Sequence, residues 1–403
     1  MNQTGPILTV FLGIYNGTAY LDSLKFQLKE QINQNFALVV VDNCSQDASW
    51  EQLQSWKSEF GSSLTLIRNS ENLGGGGSLE KSLRQGLIKT PWFVMMHQDD
   101  YYLPNHLETL ENEILKSSEK TVGICTSMGS MDKDGIVSAS FPRAAWLIDD
   151  SSQLNSFLIN VRLQAFSFPS AAVKTNIFME SMGFWHSPSF SDTETTLNLI
   201  TRGEIKYLKF ETMRYRENPI SESHVINTFE SIVGAGIGLG RVINSEGFRD
   251  LLGTIDEDTK GKFFLELMSS IEIRIPDSAM CSYLKILAAE ECCFSWGYSE
   301  IESSKFLSSA YASVDSRFTS TSLSSRIGEK EPQLNIELEK SLRKFSNQFN
   351  TEIFSLISTR KSENLGINLI SRLPLWVKTK LFKLYVRVHA IKQPNYYWNI
   401  FWK

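Results

Sequence analysis

Short apolar runs alternate with helical repeats of apolar positions through the first part of the chain. Residues 8–14, 36–41 and 64–67 are apolar runs that end at turn-forming or polar residues, which predicts three strands. Between them, apolar residues recur at helical spacing, beginning near Leu21 and Trp50. Because parallel strands need a crossover connection, this alternation predicts an α/β fold with a Rossmann-like, mostly parallel sheet flanked by helices.

A fourth apolar run begins at Trp92 and stops at two adjacent carboxylates, Asp99 and Asp100. This pattern predicts a buried strand that delivers both acids to the carboxyl edge of the sheet, where open α/β sheets bind ligands. Carboxylate oxygens suit Mg²⁺ or Mn²⁺ that bridges the phosphates of a nucleotide. Alternatively, the two acids form the acidic N-terminal cap of a helix that starts at Pro104.

Four consecutive glycines, residues 74–77, follow the third predicted strand, and a helix is predicted to begin at Ser78. Their spacing is neither the GxGxxG of dinucleotide-binding proteins nor a Walker lysine loop. One interpretation is a flexible turn. The other is a loop whose backbone approaches a nucleotide sugar closely, since glycine has no side chain to hold a ligand away.

The carboxyl ends of the four predicted strands all carry polar residues or glycine. They present Tyr15 with Asn16, then Asp42, then the glycine run, and finally the Asp99–Asp100 pair. Because the carboxyl ends of parallel strands lie at one edge of a sheet, we expect these residues to meet there. This convergence is the main functional indication of the pattern.

The later part of the chain contains more strands and then a helical region. Strands are predicted at 122–128, 167–173 and 205–210. From residue 227 to about 349 the pattern is chiefly helical, and residues 313–331 are rich in Ser and Thr, which is typical of an exposed loop. Core positions of the helical region are predicted at Phe263, Phe264, Leu267, Met268 and Ile271.

Composition places the chain among ordinary globular proteins. Its 403 residues, 42% hydrophobic and 21% charged, suffice for two domains or for one large domain with an appendage. The net charge of -5 does not indicate a nucleic-acid binder. The five scattered cysteines form no CxxC pair and fit a reducing cytoplasm. Neither a signal-peptide pattern nor an apolar run of bilayer length is present, so we expect a protein that is soluble or lies on a membrane surface.

The last part of the chain is a basic, aromatic tail. From Arg372 to Lys403 there are seven Lys or Arg residues and no Asp or Glu, interleaved with Leu, Phe, Tyr and Trp. This pattern is typical of a segment that lies in the interface of an anionic membrane. A helix that docks on its own domain through its apolar face has the same pattern.

Four ordered motifs resemble those of family 2 glycosyltransferases of the GT-A fold. They are TVFLGIYNG at 9–17, VVVDNCSQD at 39–47, RNSENLG at 68–74 and QDDYYLP at 98–104. The resemblance covers roughly residues 6–220. The last motif is similar to that of rhamnosyltransferase-like members, which implies a bacterial enzyme of surface-polysaccharide synthesis, such as that of O-antigen.

The resemblance implies a donor site for a UDP- or dTDP-sugar. It implies that Asp42 hydrogen-bonds the pyrimidine, and that Asp99 ligates the divalent metal, Mn²⁺ or Mg²⁺, with Asp100 as the second metal-site residue beside it. The nucleotide-sugar-binding residues that it implies are Tyr15, Asn16, Asp42, Asn72, Gly74, Gly75, Gln98, Asp99 and Arg216.

The resemblance also implies a catalytic base at the start of the helix that ends near Gly203. Relatives carry an acidic pair there whose second member is the base, and Asp192 takes this position while Ser191 replaces the first acid. An inverting transfer needs a carboxylate that accepts the proton of the acceptor hydroxyl. Asp192 is therefore the predicted base; its alternative role is a helix N-cap, and Glu194 is the alternative base.

Three positions depart from the family pattern. His97 stands where many relatives carry an acid, and imidazole binds Mn²⁺ but suits Mg²⁺ poorly, so His97 is either a metal ligand or a structural residue. Residues 214–219 resemble the loop that closes over the diphosphate, with Asn218 in the place of a histidine. His224 either supplies the missing imidazole or is an exposed loop residue without a role. Arg216 of this loop is expected to pair with phosphate.

Together these features predict an inverting, metal-dependent glycosyltransferase of the hexosyltransferase class, in the cytoplasm or on the inner face of the plasma membrane. It would move a sugar from a UDP- or dTDP-sugar to a hydroxyl of a lipid-linked glycan. The alternative is a catalytically silent GT-A module that binds nucleotide sugar or glycan as a scaffold. The predicted domains are a GT-A domain at 1–225, a mainly helical extension at 226–370 and the tail at 371–403.

Overall fold

The computed structural model describes residues 5–137, 152–182, 191–217, 228–275 and 278–299 of the chain. Its contacts divide the chain into two compact units, Met1–Arg274 and Ile275–Lys403. The predicted boundaries after residues 225 and 370 fall outside the described residues. Of the second unit, one helix is described, Ser278–Ser295, which is labelled α11 below.

The first unit begins with the alternation of strands and helices that the pattern predicts. Strands β1, β2 and β4 are almost entirely buried apolar runs, as strands covered on both faces are, whereas β3 at the edge of the sheet is only partly buried. The elements are β1 Leu8–Ile14, α1 Thr18–Lys29, β2 Ala37–Asp42, α2 Ser49–Phe60, β3 Leu64–Arg68, α3 Gly74–Arg84, β4 Trp92–Met96, β5 Tyr101–Tyr102 and α4 His106–Leu115.

The rest of the first unit adds three strands of different lengths, with helices between and after them. The elements are β6 Thr121–Met131, α5 Gln153–Leu163, β7 Ala171–Lys174, α6 Thr175–Ser181, α7 Ser191–Arg202, β8 Glu204–Arg216, α8 Thr228–Ile243, α9 Glu246–Gly253 and α10 Glu257–Arg274.

The strands form one sheet in the order β3-β2-β1-β4-β7-β6-β8-β5. Strands β3, β2, β1 and β4 run parallel to one another. Strand β7 is antiparallel to both of its neighbours, β6 and β8 are parallel, and β5 pairs antiparallel with β8. The predicted α/β class is thus confirmed, with a parallel first half and a mixed second half.

The register of the parallel strands brings their carboxyl ends level with one another. Ile14 at the end of β1 lies opposite Asp42 at the end of β2, and Asp42 lies opposite Arg68 at the end of β3. On the other side, Leu12 of β1 lies opposite Met96, the last residue of β4. The loops that follow these strands therefore leave the sheet at one edge, as predicted.

Two elements differ from the sequence expectation. Helix α3 begins at Gly74 rather than at Ser78, so the four glycines form its first turn instead of a loop. Its buried residues Leu79 and Leu83 hold the helix on the domain, which outweighs the low helix propensity of glycine. Strand β8 extends to Arg216, so residues 214–216 pair within the sheet instead of forming a loop.

The helices after residue 227 belong to the first unit as far as Arg274. Helices α8 and α9 pack against α7, and α10 packs against α5. The five predicted core positions of α10, from Phe263 to Ile271, are all buried. Burying a large apolar side chain of this kind contributes roughly 1.5–3 kcal/mol, so this packing anchors the helical region on the domain.

The predicted loop at 313–331 and the tail at 372–403 lie outside the described residues. Among the helices of the described ranges, none has the length and apolar character that crossing a bilayer requires.

Candidate active site

The loop after β1 is tied to the loop after β2. Asn16 has a left-handed φ of 48°, a conformation that Asn tolerates better than most residues. Its N–H donates to Ser45 Oγ at 3.0 Å, and its Oδ1 accepts from the N–H of Gln46 at 2.8 Å. The N–H of Gly17 donates to Ser49 Oγ at 2.8 Å. Three hydrogen bonds therefore fix one loop on the other.

Gln98 joins the end of β4 to the same loop. Its Nε2 donates to the carbonyl of Tyr15 at 3.1 Å, and its Oε1 accepts from the N–H of Tyr15 at 3.0 Å. A Cβ placed on Gly17 would lie 2.7 Å from Gln98 Oε1, so a larger residue at 17 would displace this amide from the backbone of Tyr15. The amide of Gln98 thus contacts protein backbone, while the ring of Tyr15 is 41% exposed at this edge.

Asp42 is a completely buried carboxylate with one oxygen in use. Its Oδ2 lies 3.0 Å from Arg68 Nε and accepts from the N–H of Ser45 at 3.3 Å. Arg68 also donates to the carbonyl of Ser45 and stacks over the Trp50 ring. Within the described residues, Oδ1 of Asp42 has no hydrogen-bond partner. A buried acceptor without a partner is costly, so it marks a position that a ligand donor would satisfy.

Asparagine side chains connect the loop after β3 to this region. Asn43 Nδ2 donates to Asn72 Oδ1 at 2.6 Å, and Asn43 Oδ1 accepts from the N–H of Leu73 at 3.0 Å. Asn72 Oδ1 also accepts from the N–H of Gly74 at 2.9 Å. Gly74 has a left-handed φ of 71°, and an added Cβ at Gly74 or Gly75 would meet no atom within 4 Å. The first turn of α3 therefore has an open, backbone-only surface.

The two acids after β4 have different surroundings. Asp100 is buried, its Oδ1 accepts from the N–H of Arg216 at 2.9 Å, and His97 Nδ1 lies 3.6 Å from its Oδ2. Asp99 is half-buried, and in the part of the chain that is described its carboxylate has no hydrogen bond or ion pair. Asp99 is therefore the acid available to a ligand, and Asp100 is the acid that the protein holds in place.

Arg216 lies beside these acids at the end of β8. Its Nε donates to the carbonyl of Asp99 at 2.7 Å, and its Nη1 donates to the carbonyl of Lys133 at 3.1 Å. Tyr102 supports the same turn, because its hydroxyl accepts from the N–H of His97 at 2.7 Å. Burial, together with the Asp100 charge, raises the pKa of Tyr102 well above its usual value, which keeps the hydroxyl neutral.

We refer to residues 15–17, 42–49, 68–74 and 97–100 with Arg216 as the strand-end cluster. Of the eleven predicted site residues, nine lie in this cluster, Gly75 follows directly in α3, and Asp192 lies in another element. Sequence reasoning missed Asn43, Ser45, Ser49 and Asn69 as the residues that connect its loops. The signal was present, because all four lie in or next to the polar motifs 39–47 and 68–74.

Asp192 belongs to another element, the first turn of α7. It is the second residue of that helix, and it is exposed. Glu194 is buried, and its Oε2 lies 3.5 Å from Arg241 Nη1. Of the two candidate bases, Asp192 is therefore the one that faces solvent. His224 and Asn218 lie outside the described residues.

The described residues offer few metal ligands. Among them, no group of three or more His, Cys, Asp or Glu residues is placed to hold a metal ion. A cation that arrives with a diphosphate needs only one or two carboxylates, since phosphate oxygens and water complete its shell. The free Asp99 carboxylate with Asp100 beside it fits this kind of ion and does not fit an ion held by protein ligands alone.

Comparison with known sequences identifies a domain. The sequence model described as "Glycosyl transferase family 2" matches residues 9–180. A protein named as an uncharacterized glycosyltransferase of Rickettsia bellii is 25% identical over 130 residues, 32% of this chain and 18% of that protein. One from Haemophilus influenzae is 29% identical over 103 residues, 25% of this chain and 32% of that protein.

A third relative is the teichoic acid poly(glycerol phosphate) polymerase of Staphylococcus epidermidis. It is 26% identical over 109 residues, 26% of this chain and 15% of the polymerase. The chain thus spans about a third or less of the length of these three curated relatives.

Similar solved structures include two complexes of transferases. The structure of S. aureus TarS 1-349 with UDP-GlcNAc is 14% identical, covers 76% of this chain and 92% of that chain, and has a TM-score of 0.49. The structure of the mannosyltransferase PcManGT from Pyrobaculum calidifontis with GDP-Man and Mn²⁺ is 14% identical and has a TM-score of 0.46. The match covers 77% of this chain and 81% of that chain.

The family match confirms the resemblance seen in the four sequence motifs, all of which lie within the matched segment. The matched segment contains β1 to β7 and all of the strand-end cluster except Arg216. Residues 9–180 of this chain are a family 2 glycosyltransferase domain.

Proposed function

We propose that this protein is an inverting, metal-assisted glycosyltransferase that uses a UDP- or dTDP-sugar. The observation that carries the proposal is the strand-end cluster, in which an unpartnered carboxylate oxygen of Asp42 and a free carboxylate of Asp99 lie at the carboxyl ends of β2 and β4. A nucleoside diphosphate would satisfy both groups. An N–H of its base would donate to Asp42, and a cation bound to its phosphates would bind Asp99.

In this proposal the pyrimidine ring supplies the missing hydrogen bond to Asp42 Oδ1. Tyr15 and Asn16 line the nucleotide pocket, and the backbone of Gly74 and Gly75 lies toward the sugar diphosphate, although the N–H of Gly74 already donates to Asn72 Oδ1. Anions are favoured at a helix N-terminus, because its first N–H groups have no partner within the helix. Asn72, Gln98 and Arg216 act through the loops that they hold, since their polar atoms contact backbone.

Asp99 is the residue that we propose to hold Mn²⁺ or Mg²⁺, with Asp100 as its neighbour. When bound, the cation offsets the negative charge that develops on the leaving diphosphate. Asp192 is the proposed base that accepts the proton of the acceptor hydroxyl as this hydroxyl attacks the anomeric carbon. Its exposure leaves the carboxylate accessible to an acceptor.

The proposed acceptor is a hydroxyl of a lipid-linked glycan in bacterial surface-polysaccharide synthesis. The basic aromatic tail at 372–403 supports this choice, because it would place the enzyme on the inner face of the plasma membrane. The relative that is named as a teichoic acid polymerase supports a role in surface polymers.

The test begins with a panel of UDP- and dTDP-sugars in the presence of Mn²⁺. A donor that binds the folded protein raises its melting temperature, and transfer or hydrolysis releases UDP or dTDP. We expect one donor to do both. Asp99→Ala should lower nucleotide release at least about 100-fold, because it removes the protein ligand of the charge-stabilising cation. Nucleotide release is measured in a coupled assay.

Asp258→Ala is the matched control, since Asp258 is an exposed acid in the first turn of α10, away from the strand-end cluster. It should keep the activity of the unaltered protein. Donor binding without any turnover in the unaltered protein would support the silent module instead. Unchanged turnover in Asp99→Ala would reject the proposed metal site.

A further inference from the structure

The first turn of helix α7 is held from two sides by partly buried polar contacts. Thr193 Oγ1 donates to Gln164 Oε1 at 3.2 Å, and Glu194 Oε2 lies 3.5 Å from Arg241 Nη1. Thr193 and Glu194 are 6% and 8% exposed, whereas Asp192, the preceding residue, is exposed. The two residues that follow Asp192 are therefore fixed, while Asp192 itself faces solvent.

Helix α8 contacts the same turn through its backbone. A Cβ placed on Gly238 would lie 3.2 Å from Glu194 Cβ and 3.4 Å from its backbone nitrogen. This approach is closer than an alanine would allow without a shift of α7 by a few tenths of an ångström. Arg241, which pairs with Glu194, lies three residues later on α8, so both contacts come from the same side of this helix.

The contact between Thr193 and Gln164 also connects α7 to the later helices. Gln164 follows α5 in a left-handed conformation with φ of 50°, and its Oε1 accepts from Nη2 of Arg274, the last residue of α10, as well as from Thr193. One amide oxygen thus connects α5, α7 and α10. The first turn of α7 is held by groups from α5, α8 and α10 together.

A partly buried ion pair such as that of Glu194 and Arg241 is a weak source of stability, because the cost of removing the two charges from water offsets much of their attraction. Its clearest use is to fix position. A close glycine contact likewise sets the distance between two helices rather than adding apolar contact area. Both features therefore suit a turn whose exact position matters.

We propose that α8 is a positioning element for the catalytic base: Gly238 and Arg241 hold Glu194, and thereby fix the turn that presents Asp192. This inference rests on the proposed role of Asp192. Displacing a catalytic group by about 1 Å costs roughly 100-fold in rate, so a shift of a few tenths of an ångström has a measurable effect. The helices after residue 227 thus contribute to catalysis without contacting the reacting atoms.

The test compares two Gly-to-Ala substitutions in helices. Gly238→Ala introduces a methyl group against Glu194, and Gly261→Ala, in α10, introduces one where no atom lies within 4 Å. Both raise helix propensity equally. We expect Gly238→Ala to lower kcat about 10-fold with the donor KM within about twofold, and Gly261→Ala to change neither. Nucleotide release is measured with UDP-glucose, or with the panel donor that turned over fastest.

A second variant covers the case in which Gly238→Ala does not fold. Thr193→Val removes the hydroxyl that contacts Gln164 and keeps the shape of the side chain, and it should also lower kcat while leaving the donor KM unchanged. Each variant is then combined with Asp192→Asn. Because the base is already absent in that background, the second substitution should cause no further loss of kcat.

The outcomes separate this inference from the function on which it rests. Loss of turnover in Asp192→Asn with full kcat in both Gly238→Ala and Thr193→Val overturns the positioning role alone. An equal loss of donor binding in these two variants also overturns it, because a general structural role would explain that result. Full turnover in Asp192→Asn, or none in the unaltered protein, overturns the proposed base and the inference together.

Discussion

Two residues of the strand-end cluster have backbone conformations that few side chains adopt. Asn16 and Cys44 have left-handed φ values of 48° and 64°, and each lies just after a strand of the parallel half. Such conformations cost on the order of 1–3 kcal/mol and persist only when the surroundings hold them. Here the hydrogen bonds between Asn16, Ser45 and Gln46 do so. The backbone is therefore strained where the proposed donor binds.

His106 gives a prediction for the pH dependence of stability. It is fully buried, its Nδ1 lies 2.7 Å from Thr212 Oγ1, and its Nε2 has no partner among the described residues. Burial lowers the pKa of His106 to about 3. The unfolded chain, with a His pKa near 6.5, takes up this proton at higher pH than the folded protein does, so stability falls as pH decreases from about 6.5 toward 3.

The slope from this one group is at most about 1.4 kcal/mol per pH unit. His106→Asn should lose this contribution, so its free energy of unfolding should depend less on pH between 6.5 and 4. Urea unfolding at several pH values measures the difference. Thr212→Val is the control, since it removes the hydrogen-bond partner but keeps the histidine and should keep the slope. Equal slopes for His106→Asn and the unaltered protein would contradict the assignment.

The sequence was informative for individual acids and less so for their partners. Asp42, Asp99 and Asp100 follow apolar runs, so their place at the ends of strands could be predicted from the pattern. The bonds of Asn43 to Asn69 and Asn72 join residues 26 and 29 positions apart, and no local periodicity reports them. The same holds for Glu194 and Arg241, whose pairing follows only from the packing of α7 on α8.

At the scale of elements, one exposed carboxylate connects the starts of two helices. Asp47 Oδ2 accepts from the N–H of Thr18, the first residue of α1, and its Oδ1 accepts from the N–H of Ser49, the first residue of α2. Partial burial acts against the charged form, but the hydrogen bonds from Ser49 and Thr18 outweigh it and lower the pKa of Asp47 to about 2.

We therefore predict that Asp47→Asn lowers the free energy of unfolding at neutral pH by at most about 1 kcal/mol, because the carboxylate is exposed to solvent. A lowered folded-state pKa stabilises the protein above the unfolded pKa of about 4, and the effect is lost as pH falls toward 2. The difference between the variant and the unaltered protein should accordingly shrink over this range in urea unfolding. A difference that stays constant down to pH 2 would contradict the prediction.

The elements themselves were predicted well where one strand or helix has a self-contained pattern. β1, β2 and β4 are nearly continuous apolar runs, and the parallel direction of the first four strands follows from their alternation with helices, whereas their order in the sheet does not. β8 was underestimated because residues 211–216 are not an apolar run, and their strand conformation depends on pairing with β6 and β5. The start of α3 was misplaced because glycine propensity was weighed without the asparagine contacts that precede the helix.

At the scale of the whole molecule, the first unit continues to Arg274 and includes helices beyond the matched segment. Sequence patterns predicted these helices and their core positions but not which element they cover. The contacts of α8 and α9 with α7 and of α10 with α5 supply that information.

The tail gives a prediction for the whole chain. A chain that ends at Ser371 should fail to bind vesicles that contain anionic lipid, whereas the full chain should bind them. Each Lys or Arg near such a surface contributes about 1 kcal/mol of binding free energy. Sedimentation with vesicles of phosphatidylserine and phosphatidylcholine measures this, and pure phosphatidylcholine vesicles are the control. Undiminished binding of the shorter chain would reject the membrane proposal and favour a tail that docks on protein.

The contact between Gly17 and Gln98 has a consequence for sequence change. Because a methyl group at residue 17 would displace the amide of residue 98, a substitution at 17 would disturb the two hydrogen bonds between Gln98 and Tyr15, so the two positions are coupled. In homologues or in directed evolution, a larger residue at 17 should be tolerated only alongside a shorter one at 98. Any redesign of donor preference through these loops must therefore treat the pair as a single variable.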